Sequence, residues 1–195
     1  MLRFPLAMEL SAFLPVECPL TRAEYDDLVR RGVLDEANVE LLHGRIVSMS
    51  PHGKGHRIGV RRCARVLIRA LGERAAVDIQ SSFAVSDDSE PEPDIVVLPP
   101  GDEVDASPRE AFLVIEVSDS SLRRDRGIKA PLYASAGVPE YWIVDVVHEG
   151  VEVYSTPSRR GYVSSTRHSR GASIRVPGFP DVLVLVDDIL PPRRP

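Results

Sequence analysis

The chain has 195 residues, 43% of them hydrophobic and 27% charged, which suits one packed core and gives no reason to invoke disorder. Its formal net charge of -5 sets the whole-molecule field against a polyanion, so contact with nucleic acid requires a local basic patch or a bound cation. Cys18 and Cys63 stand apart from each other, which excludes a disulfide framework and a zinc pattern and suits a reducing cytoplasm.

Residues 1–20 are apolar in places, but Pro5, Glu9, Pro15, Glu17 and Pro19 interrupt them. They can neither span a bilayer nor form a signal core and read as an N-terminal extension, with Met8 a second candidate start. One domain is expected over residues 21–190, with 191–195 as a tail. Thr21 and Glu24 have capping-box spacing, and Tyr25, Leu28 and Val29 then share a helical face until Gly32. Val39, Leu41, Ile46 and Val47 flank His43-Gly44 as two short strands around a tight turn, with Glu40 in the first. From His56 to about Leu71, Ile58, Cys63, Val66, Leu67, Ala70 and Leu71 form an apolar stripe, while Arg57, Arg61, Arg65 and Arg69 recur every fourth residue beside it. That basic stripe is either a solvated face or a groove for phosphates.

Strands are expected at Val77 to Val85, Asp94 to Leu98 and Phe112 to Val117, the last two continuous enough for a sheet covered on both faces. A helix follows from Ser121 to Ala136, stopped by Gly137 and kinked or restarted at Pro131. Tyr141 to Val147 is another strand. In a regular strand one of Tyr141 and Trp142 must face outward, which leaves room for a dimer interface. Short strands are expected at Val151 to Tyr154, Gly161 to Thr166, Ile174 to Val176 and Val182 to Val186. The fold class is therefore α/β with a core of helix, three strands, helix and strand, an N-terminal hairpin and extra short C-terminal strands.

Two acids stand out against this pattern. Asp94 opens a strand that is otherwise apolar, and Glu116 interrupts L-V-I-E-V, the most hydrophobic run in the chain. An ionised carboxylate buried alone costs several kcal/mol, so a cation belongs beside each. A hard divalent ion such as Mg2+ takes oxygen ligands from one or two carboxylates, which neighbouring strands supply. The bland readings are a turn-capping Asp94 and a Glu116 paired with a helix arginine. Glu116 and Ser118 point to one face of their strand. Lys54 and Lys129 are the only lysines, and Lys129, on the helix after that strand, is the natural cationic partner. Glu40 either joins the acids, faces solvent or pairs with Arg45. His52 and His56 are four apart, as two metal ligands on a helix face are. No glutamate follows the first of them, however, so phosphate contact by His56 at a helix start is the preferred reading. Gln80 faces either a bound water or the sheet surface.

The stretches E-L-L-H-G-R-I-V, P-D-I-V-V-L, L-V-I-E-V-S, D-R-G-I-K-A-P-L-Y-A and G-V-P-E-Y-W-I-V-D resemble, in order and spacing, the bacterial Uma-two family of restriction-endonuclease-like proteins. That family sits in the PD-(D/E)XK nuclease superfamily, and the likeness runs from about Thr21 to Leu190. It implies a restriction-endonuclease-like fold, metal binding by Asp94 and Glu116, and Glu40 as a further acid. It departs from the superfamily at Ser118, which stands where lysine is usual; relatives with this pattern supply the lysine from the next helix, here Lys129. The resemblance implies in-line hydrolysis of DNA leaving a 5′-phosphate, with Mg2+ or in its place Mn2+; cutting both strands needs two sites and so a homodimer, in the cytoplasm that the cysteines suit. His56, Gln80, Ser118 and Arg126 are candidate substrate contacts. The rival readings are a non-catalytic protein that holds DNA or a protein partner, and a phosphoesterase acting on a small molecule.

Overall fold

A computed structural model describes residues 18–34, 38–49, 52–101 and 110–193. The expected N-terminal extension lies outside them up to residue 17, Met8 included, as do the last two residues of the expected tail. Helix α1 (Arg22–Arg30) opens on the capping box: the Glu24 amide donates to Thr21 Oγ1 at 3.3 Å, and the Thr21 amide donates to the Glu24 carboxylate at 2.8 Å. Strands β1 (Val39–Leu42) and β2 (Arg45–Ser48) pair around His43-Gly44.

Helix α2 (Lys54–Leu71) is followed by a six-stranded sheet that runs in chain order. Its strands are β3 (Ala76–Ile79), β4 (Ile95–Leu98), β5 (Leu113–Ser118), β6 (Glu140–Asp145), β7 (Gly150–Ser158) and β8 (Gly161–Ser169). All neighbours are antiparallel except β5 and β6. The parallel pair needs a crossover, which the helical segment 122–136 supplies. Strands β9 (Ser173–Val176) and β10 (Phe179–Leu185) form a separate ribbon ahead of the short helix α5 (Val186–Ile189). The core order is helix, three strands, helix, strand. No helix among the described residues is long and apolar enough to cross a membrane.

The two-residue period of the strands divides the core. Ile95, Val97, Leu113, Ile115, Val117, Trp142 and Val144 pack with Val60, Cys63, Ala64, Leu67 and Leu71 of α2. Val96, Leu98, Val114, Tyr141 and Ile143 face the other way, onto Leu42 of the hairpin and Ala130, Leu132 and Tyr133. With both faces covered, neither Tyr141 nor Trp142 points outward, which corrects the expectation for that strand; both are fully buried. Arg57, Arg61, Arg65 and Arg69 lie on the exposed side of α2.

One further expectation is revised, and one alternative is decided. The strand expected to reach Val85 ends at Ile79, because Gln80 adopts φ +50° and turns the chain off the ladder. Of the two alternatives for the helix over 121–136, the restart at Pro131 holds: α3 (Leu122–Arg124) and a π-helical turn (Asp125–Lys129) precede α4 (Ala130–Ala136). Ala130 N–H donates to Asp125 O, five residues back, and Pro131, which lacks an N–H, falls where the new helix starts. Gly137, at φ +88°, ends it.

Helix α2 approaches the sheet at Gly59, where an added Cβ would lie 2.7 Å from Val117 Cγ1. Alanine gains about 1 kcal/mol of helix propensity, but overpacking against a stiff β-branched neighbour costs about 1–3 kcal/mol. Gly59→Ala is therefore expected to lower the melting temperature; an unchanged or higher one in a thermal melt would contradict this close approach.

Candidate active site

One cleft forms where the end of the β1–β2 hairpin, the start of α2, the ends of β4 and β5 and the π-helical turn converge. Asp94 and Glu116 both line it, with Glu40 and Lys129. The antiparallel register pairs Ile95 with Ile115, and one step further sets Asp94 across from Glu116. Both acids are buried, at 4% and 6% exposure. Asp94 sits between the layers: the Val117 amide donates to its Oδ2 at 2.8 Å, and His56 Nε2 of α2 lies 3.0 Å away. Gln80 Nε2 donates to Asp94 Oδ1 at 3.4 Å.

Glu116 faces the crossover. Lys129 Nζ donates to its Oε1 at 2.8 Å and Tyr133 Oη to the same atom at 3.0 Å. Lys129 also meets Glu40 Oε2 at 2.9 Å, and Glu40 is 1% exposed, so of the alternatives left open for Glu40 the buried one holds. The Glu92 amide donates to Glu40 Oε2 at 3.3 Å, while Glu40 Oε1 has no hydrogen-bond partner and lies 3.7 Å from Arg124. Glu116 is thus ion-paired, but with the lysine of the helix rather than an arginine.

The other expected contacts divide. His56 and Gln80 reach Asp94. Ser118 is buried and turns to Ser121, 3.3 Å away, which in turn donates to Asp125 at 2.6 Å. Arg126 is not brought to the cleft: both of its donating nitrogens bind the Glu152 carboxylate on β7. Asp125 and Tyr133 were missed, although they stand four residues either side of Lys129, a helical spacing that could have identified them.

Charge is the distinctive property of the cleft. Six carboxylates line it, Glu40, Glu92, Asp94, Glu116, Asp119 and Asp125, against two permanent cations, Arg124 and Lys129. Burial pushes the Glu116 carboxyl well above the usual carboxylate range; Lys129 pulls it back, and Asp94 and Asp125 push it further. Burial likewise raises Asp125, and raises Glu92 with help from Glu40. Burial works against the Lys129 ammonium, but Glu116 and Glu40 outweigh it and hold its pKa above the ordinary lysine value. Surplus negative charge in the cleft, with a buried Glu40 oxygen that accepts no hydrogen bond, fits a hard divalent cation, which prefers oxygen donors and would neutralise it.

The raised Glu116 pKa has a thermodynamic consequence. The folded protein binds this proton more tightly than the unfolded chain does, so the metal-free fold loses stability as pH rises from the ordinary carboxylate pKa through the raised one. Glu116→Gln removes that penalty and leaves Lys129 balanced by Glu40. In chelator at neutral pH it is expected to melt a few degrees higher than wild type, about 1 kcal/mol for a chain of this size, with the gap closing in acid. A lower melting temperature at neutral pH would mean that the Lys129 pair outweighs the desolvation of Glu116.

Residues 22–187 match the Uma2 family, described as "Putative restriction endonuclease". No curated protein matches the chain. Among solved structures, the chain is similar to a "putative nuclease belonging to DUF820" from Anabaena variabilis, with a TM-score of 0.63 and 18% identity over 79% of this chain and 90% of that one. At that identity the likeness speaks for the fold.

Proposed function

Because the chain belongs to the Uma2 family, we propose that it is an endonuclease that hydrolyses phosphodiester bonds of DNA with the help of a divalent cation, Mg2+ or in its place Mn2+. The observation that carries this reading is the position of Lys129, held by Glu116 and Glu40 in the cleft that Asp94 also lines. It puts a buried ammonium beside the second acid although Ser118 occupies the usual lysine position of the superfamily.

A DNA phosphate cannot approach six carboxylates unaided. Asp94 and Glu116 would hold the divalent cation, which would supply the missing charge and Lewis-acid polarisation of the phosphodiester. The protein's own groups set the geometry. The Val117 amide and His56 fix Asp94, while Tyr133 and Lys129 fix Glu116. With its pKa raised, Lys129 keeps its proton near neutral pH, so it acts as a donor to developing negative charge and not as a base.

Arg57, Arg61, Arg65 and Arg69 run along the exposed side of α2, whose first turn carries His56 into the cleft, and are the groups to take flanking phosphates. Arg57→Ala combined with Arg61→Ala is expected to weaken DNA binding and reduce its log-log salt slope by about one per arginine. The turnover number at saturating DNA should stay near wild type. An unaltered salt slope would assign the stripe to solvent. Cutting both strands of a duplex calls for two sites, which a homodimer in the cytoplasm provides; sedimentation with and without DNA measures this.

The reading as a whole is tested with purified protein on supercoiled and linear DNA, titrated with Mg2+ and Mn2+ and stopped with chelator. Metal-dependent nicking or linearisation is expected. DNA binding without cutting at any metal concentration would overturn it in favour of a binding protein.

A further inference from the structure

Beside the two acids lies a second set of donors of different chemistry. His52 stands just before the N-cap of α2 and His56 in its first turn, and their rings stack at 4.2 Å between centroids and 17° between planes. One ligand atom from each of His52, His56 and Asp94 falls within 4.8 Å of the others. His56 is 7% exposed: one ring nitrogen meets Asp94, while the other, Nδ1, is buried with no hydrogen-bond partner. The two ring nitrogens diverge, so the one that meets Asp94 is the donor available to this group, and the buried Nδ1, with no hydrogen-bond partner, does not hold the ring to one tautomer. Gln80 closes the group, its amide 3.5 Å from His52 Nδ1 and 3.4 Å from Asp94 Oδ1, from a backbone with φ +50° that non-glycine residues seldom adopt.

We propose that His52, His56 and Asp94 form a cation subsite, separate from the all-oxygen position at Glu116, that takes a borderline transition-metal ion of the Zn2+ or Co2+ kind in preference to Mg2+. Imidazole nitrogen suits such ions, whereas Mg2+ holds to oxygen and water and demands near-ideal octahedral geometry. Two nitrogens and one carboxylate leave a fourth position of a tetrahedral ion for solvent or substrate. Asp94 belongs to both positions, so occupancy of the subsite would set the orientation of the acid used in the proposed hydrolysis. The binding itself does not depend on that hydrolysis.

The test is visible absorption of Co2+ titrated into the untagged full chain, followed by competition with Zn2+ and with a large excess of Mg2+, for wild type, His52→Gln, His56→Gln and Glu116→Gln. One strongly absorbing, tetrahedral Co2+ per chain is expected, displaced by Zn2+ and resistant to Mg2+, apart from any weakly absorbing Co2+ at the oxygen position. Glu116→Gln should bind nearly as wild type, and each histidine variant at least about 100-fold more weakly. His52 is exposed, so His52→Gln keeps the test open if His56→Gln fails to fold. Absence of Co2+ binding, displacement by Mg2+, indifference to His52→Gln, or equal loss in Glu116→Gln would each overturn the subsite. A chain that binds Co2+ through the histidines yet never cuts DNA would leave the subsite standing and remove only the nuclease reading.

Discussion

Asp94→Asn is expected to reduce metal-dependent DNA cleavage to background while the protein stays folded. Asparagine is isosteric with the aspartate, so its carbonyl can still accept from the Val117 amide and the strand end keeps its anchor. What disappears is one anionic ligand and with it the grip on a divalent cation. Lewis-acid stabilisation is worth several kcal/mol, and about 4 kcal/mol corresponds to roughly a thousandfold in rate. Calorimetric titration with Mn2+ should show the affinity falling in parallel, and circular dichroism should show an unchanged fold. Cleavage at the wild-type rate by purified Asp94→Asn would point to a contaminating nuclease, and to a cleft with some other task.

Lys129→Met should have two large effects of different origin. The side chain is 5% exposed and neutralises Glu40 and Glu116 together, so removing its charge leaves two buried carboxylates facing each other. Breaking a buried pair in this way costs about 3–5 kcal/mol, seen as a large drop in melting temperature in chelator. The same surplus charge should make the variant bind Mg2+ more tightly than wild type, so saturating Mg2+ should return much of the lost stability. Cleavage by this metal-stabilised variant should remain about 10²–10³ below wild type, because the donor to developing charge is gone. If metal restores cleavage together with folding, Lys129 is a positioning residue and the electrostatic role assigned to it fails.

These effects trace back to features of unequal legibility. Glu116 and Asp94 could be picked out because an acid in an apolar strand run is anomalous locally, and the strand period of two then says which face each takes. The capping box at Thr21 and the turn at His43-Gly44 are likewise local signals. Lys129 is legible as the one lysine of the helix after β5, and the family resemblance points to the same residue, but its contact with Glu116 depends on a π-helical turn that no local pattern announces. Arg126 was misplaced because its partner, Glu152, lies 26 residues away on β7, and such pairing appears only once the sheet is assembled. Gln80 defeated a propensity argument: its apolar neighbours read as a strand, while its left-handed backbone bends the chain toward Asp94. The histidine pair reads as a phosphate contact because no glutamate follows His52, and the acid that His56 meets, Asp94, stands just ahead of β4, 38 residues further on.

The central claim is that one cation is gripped jointly by Asp94 and Glu116. Crystals of the full chain grown in Mn2+ and measured at the manganese absorption edge test it without reference to activity. An anomalous peak about 2.1 Å from an oxygen of each residue is the predicted result. Crystals that carry manganese elsewhere, the histidine pair included, and none in contact with Glu116 would contradict it.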